Sequence, residues 1–383
     1  MKETIPLFKV FMSPTAKDKA GEVLDSGYIG QGAKVDEFEK QIGDYFGNNK
    51  VVTTNAGTSA LHLALHLLKK PKPHWNEDVF QGVAFVSHNW PGIEDGDEVL
   101  ATPLTCTASN WPIVANNMKI KWVDIDPTTL NMDLEDLERK MTPKTKAIMG
   151  VHWGGYPLDL DKIRDIRGRF RGKHGWAPAL IEDGAHAFGS KYKGKYLGNH
   201  GNFVMNSLQA IKHITSVDGG LLYCPHDELY ERAKLLRWYG IDRNPKGRTD
   251  FRCEADIEEW GFKFHMNDVC AAIGIENFKH MDRLVSRHKE NAAYYDLRLQ
   301  NVDGVTLLKR EEGFESAFWI YSLLVDDRPS FYEYMKECNI MVSQVHERND
   351  KHSCMAEFQS ELPNLEKTIG KVVSIPVGWW VTD

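Results

Sequence analysis

Through the first two-thirds of the chain, short apolar runs of strand type alternate with segments whose apolar residues recur at helical spacing. KVVTT (50–54) leads to TSALHLALHLLKK (58–70), DEVLATP (97–103) to SNWPIVANN (109–117), and IKWVDI (120–125) to DLEDLERKM (133–141). KAIMGV (146–151) then leads to DLDKIRDIRGRF (159–170), and PALIED (178–183) closes the series. This alternation predicts parallel strands joined by crossover helices that cover both faces of one sheet. KAIMGV and PALI are nearly unbroken apolar runs, as strands buried on both faces must be. Ligands of such sheets collect at the carboxyl ends of the strands.

Beyond about residue 253 the pattern changes. A long helical stretch at 267–300 precedes a strand-like AFWIYSLLV (317–325) and a helix-like SFYEYMKECNI (330–340). The expected architecture is α/β: a large domain over 1–250 with a mostly parallel central sheet flanked by helices, then a connecting helix and a smaller α+β domain over 251–383. The segment 71–96 reads as a loop longer than compact domains usually carry.

Composition narrows the possibilities. With 42% hydrophobic and 26% charged residues, the chain has the balance of a soluble globular protein. A net charge of −7 without a dense basic stretch argues against a nucleic-acid partner. The 6 cysteines are scattered with no CxxC pair, so neither a zinc cage nor a disulfide framework is expected. No signal-peptide run opens the chain and no apolar stretch is long enough for a membrane span. The expectation is a cytoplasmic protein.

Three local features carry candidate chemistry. NAGTSALHLAL (55–65) places Gly57, Thr58 and Ser59 where a strand turns into a helix. Free N–H groups at a helix start, with a glycine that permits close approach, suit a phosphate, although an ordinary helix cap has the same look. PALIEDGAHAFGS brings Asp183 to a strand end, with His186 just beyond. An acid there can serve a ribose, a metal or a ring nitrogen of an aromatic cofactor. No second ligand at metal spacing supports the metal, and a histidine so placed is more often structural. SLQAIKHITSVDGG (207–220) puts Lys212 on a connection between two strands of the same sheet; a lysine on such a loop is usually solvated, yet one held near a strand end is also where a Schiff base to pyridoxal phosphate would form.

DSGYIGQGAKVDEFE, NAGTSALHLAL, GDEVLATPLTCTAS, KAIMGVHWGGYPLDLD, IEDGAHAFGSKYKGKYLG, SLQAIKHITSVDGG and MNDVCAAIG together give the chain its family resemblance. It resembles the DegT/DnrJ/EryC1/StrS sugar aminotransferases, fold type I pyridoxal-phosphate enzymes, and within them the perosamine-synthase branch. The resemblance implies that Gly57, Thr58 and Ser207 hold the cofactor phosphate. Asp183 would pair with the pyridinium nitrogen, His186 would lie by the ring, and Lys212 would carry the cofactor and move the proton. It further implies an amino group taken from glutamate, with pyridoxamine phosphate between the half-reactions, and passed to a nucleotide-linked 4-keto-6-deoxy sugar. Substrate contacts are expected from Arg237, Arg243, His346 and Arg348.

The chain also departs from the family pattern. Cys106 stands where the family usually stacks an aromatic on the cofactor ring. Lys263 stands where an asparagine commonly reaches the phosphate of the neighbouring subunit; if Lys263 does so, the protein is a homodimer with shared active sites. The resemblance also implies a final helix after SIPVGWWVTD that this sequence does not contain. Two competing readings are a dehydratase of the same fold, which would carry histidine in place of Lys212, and a cofactor-binding regulator without turnover.

Overall fold

The computed structural model describes residues 3–70, 90–243 and 256–382. Two N-terminal helices, α1 (Ala16–Ser26) and α2 (Ala33–Phe46), lead into strand β1 (Val51–Thr54) and helix α3 (Gly57–Leu67). There follow β2 (Glu98–Ala101), α4 (Thr107–Ala115), β3 (Lys119–Trp122), α5 (Leu134–Lys140), β4 (Thr145–Val151), α6 (Leu160–His174) and β5 (Ala179–Asp183). A small hairpin, β6 (Lys191–Tyr192) and β7 (Lys195–Tyr196), precedes β8 (Phe203–Ser207), β9 (Gly220–Tyr223) and α7 (Asp227–Leu236).

These strands form a seven-stranded sheet in the order β1-β9-β8-β5-β4-β2-β3. Every pair is parallel except those of β9, which runs against both β1 and β8. The sheet is therefore the mostly parallel one expected, with Lys212 on the β8–β9 connection. Alternate residues serve opposite faces. Val52, Leu222, Val99 and Ala147 join the core on one side with α3, whereas Val51, Leu221, Leu100 and Ile148 join the core on the other with α2 and α6. Burial on both sides accounts for the unbroken apolar runs.

The C-terminal third contributes α8 (Asp268–Phe278), α9 (Met281–Leu299), β10 (Val305–Leu307), β11 (Phe314–Glu315), β12 (Tyr321–Val325), α10 (Arg328–Glu337), α11 (Pro363–Thr368) and β13 (Val372–Ile375). The stretch read as one helix over 267–300 is two, separated at Lys279 and His280. Strands β10, β12 and β13 make a second, antiparallel sheet whose core includes Tyr321, Leu323 and Val373 together with Ala292 of α9. Strand β11 instead joins β6 and β7, so this region is stitched to the large sheet's surroundings. The expected division between 250 and 251 and residues 71–89 of the long loop lie outside the described residues. At the end of that loop, Trp90 and Ile93 are buried in the core.

Candidate active site

Sheet register assembles the site before any side chain is considered. Gly220, the first residue of β9, pairs with Thr54 on one side and Ser207 on the other. The turn 55–57 and the end of β8 are thereby drawn together. A Cβ on Gly220 would lie 2.6 Å from the Ala56 carbonyl oxygen, and one on Gly57 would lie 3.3 Å from Ser207 Cβ. Only glycine lets these three backbones meet.

Helix α3 begins at Gly57 behind Ala56, which has no side chain to cap it. Thr58 is exposed beside this start, and Ser207 stands next to it at a strand end. Asn55 N–H donates to Phe264 O at 2.6 Å and Asn55 Nδ2 to Lys263 O at 3.3 Å. The backbone of Lys263 is thus fixed beside its own chain's turn, with the residue exposed.

Asp183 ends β5 and is 3% exposed. Its carboxylate accepts from Ser109 Oγ at 2.5 Å and from the Ala185 N–H at 2.9 Å. Burial raises this carboxyl above its ordinary value, against the lowering pull of Ser109, Ala185 and the Lys212 ammonium. Ser109 lies in the first turn of α4, just beyond the capping position Cys106. Sequence reading missed Ser109 although it closes the quoted LTCTAS.

Lys212 is partly buried, and desolvation pushes its amine down to about 8 despite the opposing pull of Asp183 and Cys106. Its Nζ sits 3.4 Å from the ring centroid of Trp319. His186, 2% exposed, stacks on the same indole at 4.0 Å and 22°. The His186 Nδ1 accepts from the Gly154 N–H at 3.3 Å, and Nε2 lies 3.4 Å from His346 Nε2. Burial, then the neighbouring Lys212 cation, holds His186 well below the usual imidazole value and takes His346 down to about 3. Both rings are neutral at physiological pH. Since His186 Nδ1 accepts, its proton is on Nε2.

Gly57, Thr58, Ser207, Asp183, His186, Lys212, Cys106 and His346 therefore converge. Arg237 and Arg348 do not offer the free cations expected. Arg237, 3% exposed, pairs with Glu39 and donates to Thr53 O at 2.9 Å. Arg348, 6% exposed, is closed on Asp350 by bonds of 2.8 and 2.7 Å. A buried guanidinium needs such an internal acid. Arg243 is exposed, donates to Gln31 O at 2.8 Å and covers the Trp238 ring. His213, beside Lys212 in sequence, instead donates from Nε2 to Ala317 O, 2.9 Å away, and packs on His288. Among the described residues no cluster of metal-ligating side chains occurs.

The residues fit pyridoxal phosphate: an uncapped helix start with two hydroxyls for the phosphate, a buried carboxylate for the ring nitrogen, and an amine of lowered pKa for the aldehyde. Transferases of fold type I are built on this sheet. Over residues 12–74 and 82–383 the chain matches the DegT/DnrJ/EryC1/StrS aminotransferase family, and it belongs to that family. It is similar to the solved structure of AtS13 from Actinomadura melliaura, with 48% identity, a TM-score of 0.90, and 100% of this chain and 96% of that one covered. The sugar aminotransferase CalS13 from Micromonospora echinospora shares 42% identity and a TM-score of 0.90 over 99% of this chain and 96% of its own. A UDP-4-amino-4-deoxy-L-arabinose–oxoglutarate aminotransferase of Shewanella sediminis is 28% identical over 98% of this chain and 93% of its own length. The chain is a pyridoxal-phosphate-dependent sugar aminotransferase.

Proposed function

We propose that this enzyme transfers an amino group from glutamate to the carbonyl of a nucleotide-linked 4-keto-6-deoxy sugar, of the kind aminated in perosamine synthesis, and does so in the cytoplasm. The observation that carries the reading is the Lys212 amine, pushed down to about 8, held between Trp319 and the Asp183 side of the site. The name of the Shewanella sediminis relative, with its UDP-linked amino sugar and oxoglutarate, supports the two substrate classes. In this reading Lys263 serves the phosphate of a neighbouring subunit and the protein is a homodimer. Among the described residues no helix is long and apolar enough to cross a membrane.

Pyridoxal phosphate, when bound, supplies an aldehyde and a ring that draws electrons from an attached carbon. The chain supplies the rest. At about pH 7 roughly a tenth of the Lys212 amine is neutral, against about 3 in 10,000 for an ordinary lysine, a gain of about 300-fold in usable base. The same Nζ gives the proton back at the end of each half-reaction. Asp183 presents negative charge to a ring nitrogen and keeps it protonated; Ser109 and Ala185 fix the direction of that carboxylate. His186, neutral with its proton on Nε2, offers a donor beside the ring. Gly57, Thr58 and Ser207 anchor the phosphate so that the ring is oriented before substrate arrives.

The test is the near-visible absorbance of purified protein with pyridoxal phosphate, before and after glutamate, beside Lys212→Ala. Wild type should form the protein-linked band and lose it to glutamate; the variant should form no such link. Mass spectrometry of products from GDP-, UDP- and dTDP-linked keto sugars then identifies the acceptor. A band that glutamate cannot discharge would overturn the reading.

A further inference from the structure

Trp319 comes from the C-terminal third of the chain, yet it touches the centre of the site. Its indole is 3% exposed. One face stacks on Phe8 at 4.9 Å and 20°, and the ring also stacks on His186 at 4.0 Å. Its Nε1–H donates to Ile211 O at 2.9 Å, the residue just before the lysine. The segment bearing it is pinned from below. Ala317 O meets His213 Nε2 at 2.9 Å, and Phe318 O meets His288 Nδ1 at 2.7 Å. Phe318 itself holds a left-handed φ of 50°, a conformation a bulky residue adopts only when its surroundings impose it. Three separate constraints thus aim one ring at one amine.

We propose that Trp319 is a positioning residue for Lys212: its ring face is the berth in which the lysine rests as an ammonium when it is not bonded to cofactor. A cation centred 3.4 Å over an indole is held by the ring's quadrupole. The bond to Ile211 O keeps the berth in register with the lysine backbone. This rests on the aminotransferase reading, in which the amine must be released and reused in each half-reaction. The other groups facing Lys212 are Asp183 from β5, Cys106 at the start of α4, the neutral rings of His186 and His346, and His213 beside it in sequence.

The experiment uses the cofactor-free full chain. Trace acetylation with acetic anhydride, read by mass spectrometry at Lys212 across pH, gives the amine's midpoint in wild type, Trp319→Phe and Trp319→Leu. Phenylalanine keeps an aromatic face, so its midpoint should stay near that of wild type. Leucine keeps the site dry but removes the quadrupole. Its midpoint should fall by about one unit, so that labelling at about pH 7 rises about fivefold. Equal midpoints in all three proteins, or a rise in the leucine variant, would overturn the proposal. A second measurement needs no change at Trp319: the near-ultraviolet difference spectrum of wild type should show an indole perturbation at the Lys212 midpoint that Lys212→Ala removes. Its absence also overturns the berth. Discharge of the cofactor band by glutamate, recorded separately on wild type, reads the aminotransferase reaction itself, so the two ideas fail independently.

Discussion

Replacing Asp183 by asparagine should remove most of the activity while leaving the fold as stable as before. Burial raises the Asp183 carboxyl, so the folded chain holds that proton more tightly than the unfolded chain does. The group's stabilising contribution is therefore greatest at low pH and is lost as pH rises from the ordinary carboxyl value through the raised one. Once ionised in the fold, the carboxylate is a net cost relative to its protonated form. Asparagine removes that cost and keeps the hydrogen bonds: its oxygen accepts from the Ala185 N–H, and its amide donates to Ser109, whose hydroxyl turns to Thr105 Oγ1 at 2.7 Å. The balance should lie within about 1 kcal/mol, or a melting shift of no more than about 3 °C. The activity change is of another order. Without a negative partner the ring nitrogen loses its proton, and the loss of one fixed charge at developing charge costs about 10²–10³-fold in rate. Thermal unfolding of the cofactor-free protein and steady-state transamination with glutamate measure the two effects. A melting drop of about 10 °C accompanied by a proportional loss of folded protein would refute the reasoning and make Asp183 a structural residue.

Two further perturbations reach the frame of the site. Gly220→Ala places a methyl against the Ala56 carbonyl and should weaken cofactor affinity by at least about tenfold, measured by titrating pyridoxal phosphate into the variant, because the turn 55–57 must move off β9. Glu259 shows an acid sensitivity of opposite sign to Asp183. Burial alone would raise it, yet hydrogen bonds from Arg232 and His66 outweigh burial and hold it down to about 2. Its stabilisation is complete above the ordinary carboxyl value and is lost as pH falls toward about 2. Glu259→Gln strands a fully buried Arg232 and should cost about 3–5 kcal/mol at neutral pH, seen as a lowered denaturation midpoint, while flattening the acid limb of the stability curve.

The strand–helix alternation, the sheet class and the three local features at Gly57, Asp183 and Lys212 were legible from residue order, because each rests on near neighbours. A strand covered on both faces must be apolar throughout, a helix start needs its turn residues beside it, and a parallel strand carries its functional residue at its own end. Ser109 was within reach by the same logic, as a hydroxyl in the first turn of the helix that begins within LTCTAS. The rest depended on residues far apart in the chain. The start of α2 follows a glycine that cannot cap it, and Asp268 of α8 supplies the cap instead, accepting from Gly32 and Val35 N–H at 2.7 and 3.1 Å. Arg237 was a candidate substrate contact until the fold buried it against Glu39. Trp319 belonged to an ordinary strand-like run until the antiparallel sheet of the C-terminal third set it on Lys212. Periodicity records which face of an element is buried; it does not record what buries it. Charge pairing and ring stacking across more than a hundred residues are fixed only when separate elements dock, and that docking decided which candidates joined the site.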